Sequence, residues 1–206
     1  TSAVCSALLL GRVYWTEEIL FLAMGWNLLL AWIPFALSAA MLSARHLKVA
    51  RWVLLPVLAA IWLVFLPNAP YLVTDLIHLR ERAPVPYWYD IAMLGMFAST
   101  GLLLGVRSLE HVHRLLERPL GAALSWSVII VISGLCGLGI YLGRFLRWNS
   151  WDLATRPEAV LTDILALFLD PSAHRGPWGF TAVFAAMLLA FYAAVRVQPA
   201  QPKTSM

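Results

Sequence analysis

Apolar positions run unbroken through five stretches of the chain, residues 19–42, 52–66, 91–106, 120–143 and 178–195, and none of the five contains Asp, Glu, Lys, Arg or His. Each approaches or exceeds the roughly 20 residues that an α-helix needs to cross the hydrocarbon core of a bilayer. The pattern predicts an all-α protein, a polytopic transmembrane helix bundle with five complete spans. A shorter apolar run at residues 2–10 reads as what is left of a further N-terminal span, truncated before Thr1. One transmembrane domain covers residues 1–196, and residues 197–206 make a disordered polar tail with nothing to fold on.

Two further segments are periodic but too short to span. After Pro67 and Pro70, a new helix places Tyr71, Thr74, Asp75 and His78 on one stripe, at i, i+3, i+4 and i+7, with Leu72, Val73, Leu76, Ile77 and Leu79 opposite. Thr155-Arg156-Pro157-Glu158 has capping-box spacing with proline in the first turn, so a second helix is expected over residues 156–169, strongly apolar through Val160, Leu161, Ile164, Leu165 and Phe168. Both are expected to lie at the membrane interface, on its extracytoplasmic side.

Composition agrees with immersion in lipid: 61% of residues are hydrophobic, 13% are charged, and the mean hydropathy is +0.77. The excess of basic residues needs no nucleic acid to explain it, because Lys and Arg flank the spans and no basic run or aromatic nucleic-acid motif occurs. Arg45, Lys48 and Arg51, then Arg107, Arg114 and Arg118, then Arg196 and Lys203 gather on one side, eight of the fifteen Lys and Arg. Nine of the eleven acidic residues gather on the other. The positive-inside rule makes the short basic loops cytoplasmic. Cys5 and Cys136 are too far apart in sequence to suggest a disulfide framework or a metal knuckle.

Gly101 and Gly105, and Gly139 and Gly143, stand four residues apart in the third and fourth stretches, and Ser133 and Gly137 extend the second pair. Such spacing bares a backbone patch for a neighbouring helix, and packing inside the bundle is favoured over dimerisation. Asn27 is the one carboxamide within a stretch and is expected to bond a facing helix. Pro34 and Pro56 are expected kinks. No ionisable group lies at membrane depth to serve a proton-coupled carrier, and all five histidines fall outside the stretches, so no haem is expected in the bundle.

Chemistry is therefore expected at the acidic face. Asp75 and His78, a turn apart, could share a proton or a divalent metal, against an equally weighted reading as a solvated polar face. If the fourth helix continues past Gly143, Arg144, Arg147, Trp148 and Trp151 share one side, two guanidiniums flanked by indoles at headgroup depth. They either bind an anionic headgroup or ligand or neutralise Asp75, Asp90 and Asp152. Asp90, behind Tyr87, Trp88 and Tyr89, is explained by a helix N-terminus yet shares that face.

The combination of Trp26-Asn27 with Ile33-Pro34, of Pro67-Asn68-Ala69-Pro70-Tyr71 with Thr74-Asp75 and His78, and of Arg147-Trp148-Asn149-Ser150-Trp151-Asp152 resembles a bacterial family of integral membrane proteins catalogued as domain of unknown function 1361. The resemblance covers residues 19–195. It implies a multi-pass protein of the bacterial inner membrane, commonly with one more N-terminal span, and brings no established activity.

The leading expectation is an accessory or transport-related membrane protein that binds a small polar or anionic ligand, an anionic lipid headgroup included. Its site residues are Asn68, Tyr71, Asp75, His78 and Asp90, with Arg144, Arg147, Asn149 and Asp152. The alternative is an interfacial hydrolase or transferase acting on a lipid or envelope precursor, with a divalent metal on Asp75 and His78. Against it, no signature such as H-E-x-x-H or G-x-S-x-G is present. The bilayer is the expected partner, nucleic acid is not, and oligomeric state cannot be read from the sequence.

Overall fold

The computed structural model describes residues 1–16, 21–46, 53–81 and 84–197. The described elements are helical: α1 (Ser2–Thr16), α2 (Leu22–Ala44), α3 (Leu54–Phe65), α4 (Asn68–Tyr71), a 3₁₀ segment (Leu72–His78), α5 (Tyr87–Phe145), α6 (Asp152–Thr155), α7 (Pro157–Leu169) and α8 (Arg175–Val197). Four helical stretches are long and apolar enough to cross a membrane: Leu22–Ala44, Leu54–His78, Tyr87–Phe145 and Arg175–Arg196. Glu17, Glu18, Lys48, Arg51, Trp52 and residues 198–206 of the expected tail lie outside the described residues, while Val197, expected as the start of that tail, ends α8.

Each helix buries one narrow stripe and turns the rest of its apolar surface outward. On α2 the stripe runs through Met24, Leu28, Ala31, Pro34, Ser38 and Met41, at three- and four-residue steps. Trp26, Leu29 and Trp32 of the same helix are exposed, as are Ile130, Val131 and Leu135 on α5 and Val183 and Phe191 on α8. Contiguous apolar exteriors of this kind suit lipid as solvent.

α5 is the organising element and packs against α1, α2, α4, the 3₁₀ segment and α8. Its 59 residues are broken at Gly121, where φ is 74° and ψ is 174°. Only glycine adopts that backbone region without strain, and Pro119 just before it removes a helical donor. The two halves fold back on each other: His113 Nε2 lies 3.0 Å from Ser125 Oγ, and the His113 and Trp126 rings meet at 5.0 Å. Residues 107–118, expected as a basic loop, are instead helix. Arg107 and Arg114 are exposed and pair with Glu110, while Leu109, Val112 and His113 are buried, so charge density concealed an amphipathic turn region.

The paired glycines are spent inside the bundle. A Cβ on Gly101 would overlap the Ala69 carbonyl, one on Gly139 would overlap the Pro67 ring, and one on Gly137 would overlap the Thr181 carbonyl. These close approaches seat the proline-rich 67–72 segment between the two halves of α5, and α8 against the second half. Trp62 Nε1 donates to Ser108 Oγ at 2.6 Å, and Ser108 donates onward to the Pro34 carbonyl at 2.9 Å, tying α3, α5 and α2 together at depth.

Candidate functional site

The segment expected as one short α-helix is α4 followed by a 3₁₀ helix, and the change sharpens the alignment of its polar groups. Three residues per turn eclipse positions i and i+3, so Asp75 and His78 stand directly in line. Thr74 and Asp75 point into the protein, whereas Leu76 and Ile77 are exposed, 41% and 66%. Thr74 and Asp75 share the inner side with Leu72, and Leu76, Ile77 and His78 lie on the outer side.

Arg144, at the end of α5, reaches across to this segment. Its guanidinium donates to Asp75 Oδ1 at 3.2 Å, approaches His78 Nε2 at 3.1 Å and Tyr71 Oη at 3.4 Å, and lies over the Tyr71 ring. Asn27 of α2 donates its Nδ2 to Asp75 Oδ2 at 3.3 Å, so the carboxylate receives one donor on each oxygen. The hydrogen-bond partner expected for Asn27 is therefore Asp75.

Beyond Arg144 the helix does not continue. α5 stops at Phe145, and Arg147 turns the chain with φ 59°, the left-handed conformation that glycine more often supplies at a helix exit. Trp148 N–H then donates to the Leu142 carbonyl at 3.1 Å. This corrects the expectation that Arg144, Arg147, Trp148 and Trp151 share a helical side. Arg147 is exposed and makes no ion pair among the described residues.

The following loop is pinned from three directions. Asn68 donates to Ser150 Oγ at 2.8 Å and to the Phe65 carbonyl at 3.0 Å, and Ser150 donates to the Val64 carbonyl at 3.2 Å. Trp148 Nε1 donates to Asp163 of α7 at 2.7 Å. Asp152 accepts the Asn149 backbone N–H at 2.7 Å and an Arg156 guanidinium N–H at 2.9 Å. The Arg156 bond first, and the Asn149 bond after it, hold the Asp152 carboxyl below the usual carboxylate range. α7 begins at Pro157 with Arg156 as its cap and no side-chain capping bond, so the expected Thr155 capping box does not form. Thr155 ends α6 and bonds the Trp151 carbonyl instead.

Between these elements lies a cavity of about 130 Å³. Trp26, Asn27 and Leu30 of α2 form one wall, Asn68 and Tyr71 a second, Gly139 and Gly143 a third, and the loop from Trp148 to Trp151 closes it beside Val160 of α7. Gly139 admits the Pro67 ring, and Gly143 lies against the Tyr71 ring and the Trp148 carbonyl. Of the expected site residues, Asn68, Tyr71 and Asn149 line the cavity. Asp75 and Arg144 bond to its walls through Asn27 and Tyr71, His78 joins them through Arg144, and Asp152 anchors the loop from outside.

Asp90 belongs to a different contact. Its Oδ1 accepts the Arg12 Nε–H at 2.8 Å, with both side chains 1% exposed, at the junction of α1 and α5. Each aspartate therefore has its own arginine: Asp75 with Arg144, Asp90 with Arg12, Asp152 with Arg156. Among the described residues no group of three or more His, Cys, Asp or Glu stands close enough to hold a metal ion. At the expected metal pair, Asp75 and His78, the cationic guanidinium of Arg144 occupies the bridging position, so these residues do not fit a divalent ion.

Two participants, Arg12 and Ser150, and one network at the far end of the bundle were not expected from sequence. Arg12 lay beyond the apolar run at residues 2–10, but continuation of the helix puts it in register with Cys5 and Leu9 on the buried stripe of α1. Ser150 carried no signal apart from the motif around it. At the far end of the bundle, His113, Tyr192, Ser125 and Arg196 form a closed network, with Glu117 on Arg196. The i, i+4 spacing of His113 with Glu117 and of Tyr192 with Arg196 was visible, but not that the two pairs meet.

A family model described as protein of unknown function (DUF1361) matches residues 26–191. The match begins at Trp26 and contains every residue lining the cavity. No curated protein and no solved structure matches the chain.

Proposed function

The chain belongs to the family of unknown function DUF1361, and on that premise we propose that it is a multi-span membrane protein that binds a small polar ligand in the cavity between α2, α4, the end of α5 and the 148–151 loop. In this reading α5 supplies two crossings. As a straight rod its 59 residues would extend about 88 Å, nearly three times the hydrocarbon thickness, and the break at Gly121 resolves this by reversing direction. Leu22–Ala44, Leu54–His78, the two halves of α5 and α8 make five crossings. The basic turn at 107–118 faces the cytoplasm, and the cavity opens on the extracytoplasmic side beneath α7.

The observation that carries the proposal is a polar cavity whose neighbouring charges are already neutralised in pairs. Three carboxamides and a hydroxyl, those of Asn27, Asn68, Asn149 and Ser150, converge with the indoles of Trp26, Trp148 and Trp151 on one cleft at the aromatic belt. A structure-only role for these groups would have favoured packed apolar side chains there.

Native mass spectrometry of the full chain extracted with its native lipids tests the reading. The wild type is expected to carry a bound small molecule or lipid that Trp26→Ala and Asn149→Ala lose while keeping the wild-type melting temperature. Identical adducts in all three proteins, or none in the wild type, would contradict it.

A further inference from the structure

The unused hydrogen-bonding ends of the cavity define a ligand class. Asn68 commits both N–H groups of its amide, to the Phe65 carbonyl and to Ser150. Asn27 turns its amino end to Asp75 and Asn149 turns its own to Asp152, at 3.3 Å in each case. Every one of these amides has an obligate acceptor, a carbonyl or a carboxylate, on its nitrogen, which decides its orientation. Among the described residues no donor reaches the Oδ1 of Asn27, Asn68 or Asn149. The Ser150 hydroxyl proton is taken by the Val64 carbonyl. What remains on the lining side chains, among the described residues, is three carbonyl acceptors and a set of donors: one N–H on each of Asn27 and Asn149, the Tyr71 hydroxyl proton and the indole N–H groups of Trp26 and Trp151.

From this, and resting on the reading of the cavity as a ligand site, we propose that its ligand is a neutral, polyhydroxylated group: a sugar ring or a comparable polyol. A phosphate or carboxylate finds no cation among the lining residues, and the adjacent guanidiniums of Arg144 and Arg156 are engaged by Asp75 and Asp152. An ammonium group satisfies the carbonyls but leaves the N–H and O–H donors unanswered. Hydroxyls both donate and accept, so they alone match the whole set.

The apolar lining suits the same class. Trp148 has its N–H tied to Asp163 and Arg156 over its ring, so its remaining surface is π-face and edge. Trp26 and Trp151, 54% and 41% exposed, frame the rim. Aromatic faces carry partial negative charge and attract the polarised C–H groups of a sugar ring. The ring can arrive as the headgroup of a glycolipid or as a free saccharide.

Thermal unfolding of the full chain in a polyoxyethylene detergent, which has no sugar headgroup to compete, separates these sources. The probes are monoglucosyl diacylglycerol, methyl glucoside, phosphatidic acid and phosphatidylcholine. The glucosyl lipid is expected to raise the melting temperature by several degrees, with its half-saturating concentration increased at least tenfold in Asn149→Ala and in Trp26→Ala. A matching shift from methyl glucoside identifies the free sugar as sufficient, and its absence identifies the lipid-linked form. A cavity-dependent shift from phosphatidic acid or phosphatidylcholine alone overturns the polyol assignment while leaving the cavity a ligand site. No Asn149-dependent shift from any probe also overturns it, and the adduct measurement on the native protein then judges the ligand-site reading separately.

Discussion

Arg144 donates to Asp75 at 3.2 Å across 69 residues of sequence, joining the last turn of α5 to the 3₁₀ segment that follows α4. The Asp75 side chain is 4% exposed and that of Arg144 16%, so the pair is held largely away from water. Removing one partner strands the other charge. Arg144→Gln is expected to cost about 3 kcal/mol or more, and the Asp75→Asn, Arg144→Gln double variant less than the sum of the singles. Thermal or denaturant melts of all four proteins in detergent measure the coupling; additive losses would show that the two groups do not act together.

The buried Arg12–Asp90 pair should behave differently when replaced as a unit. Among the described residues Arg12 Nη2 and Asp90 Oδ2 have no partner although both are buried, so between them the contact loses hydration without completing its hydrogen bonds. The Arg12→Met, Asp90→Leu double variant is expected to equal or exceed wild-type stability by about 1–4 kcal/mol, whereas Asp90→Leu alone destabilises. A double variant that melts well below the wild type would mean that the pair stabilises the α1–α5 junction in its own right.

Two glycines of α5 give opposite expectations. Gly101 has the Ala69 carbonyl where a Cβ would go, and Gly101→Ala is expected to destabilise by about 1–3 kcal/mol. Gly134 has nothing within 4 Å, so Gly134→Ala is expected to be neutral or to stabilise by up to about 1 kcal/mol. If the glycines served dimerisation instead, Gly101→Ala would lower the oligomeric state and leave the monomer's melting unchanged.

Much of the bundle was legible because lipid leaves a residue few choices: outward positions must be apolar along a whole crossing, and that shows in one sequence. The gathering of Asp75 and Arg144 followed from their places at matching ends of the apolar stretches, and their contact was one of two open readings, neutralisation of Asp75, Asp90 and Asp152 against binding of an anion. The 3₁₀ backbone at residues 72–78 was not legible, because it differs from an α-helix by small dihedral changes. Arg147 escaped for a related reason, since an arginine in a left-handed turn looks like a helical residue until its φ is known. Residues 107–118 were misread because five charged residues, Arg107, Glu110, Arg114, Glu117 and Arg118, outnumber the buried Leu109, Val112 and His113 that face the bundle. Arg12 fell outside the apolar run at residues 2–10, although its register with Cys5 and Leu9 was available.

Asp152 predicts an acid-sensitive loop. Its carboxylate holds a proton less readily in the folded protein than in the unfolded chain, because Arg156 and the Asn149 N–H favour the charged form. The stabilisation is therefore complete above the ordinary aspartate pKa of about 3.9 and is lost as pH falls through the lower native value. Tryptophan fluorescence of the 148–151 loop is expected to change on titration below about pH 4 in the wild type. In Asp152→Asn the same step should be absent; its persistence would assign the transition to another group.

The central claim is that the chain reverses at Gly121, so that the cavity loops and the 107–118 turn lie on opposite faces of one membrane. Cys5 and Cys136 are buried and give little background to thiol labelling. Single cysteines placed at Ser172, beside the cavity face, and at Arg114, on the turn, can be challenged with a membrane-impermeant maleimide in sealed vesicles of known orientation. Labelling of the two from opposite sides is the predicted result. Labelling of both from the same side would contradict the account.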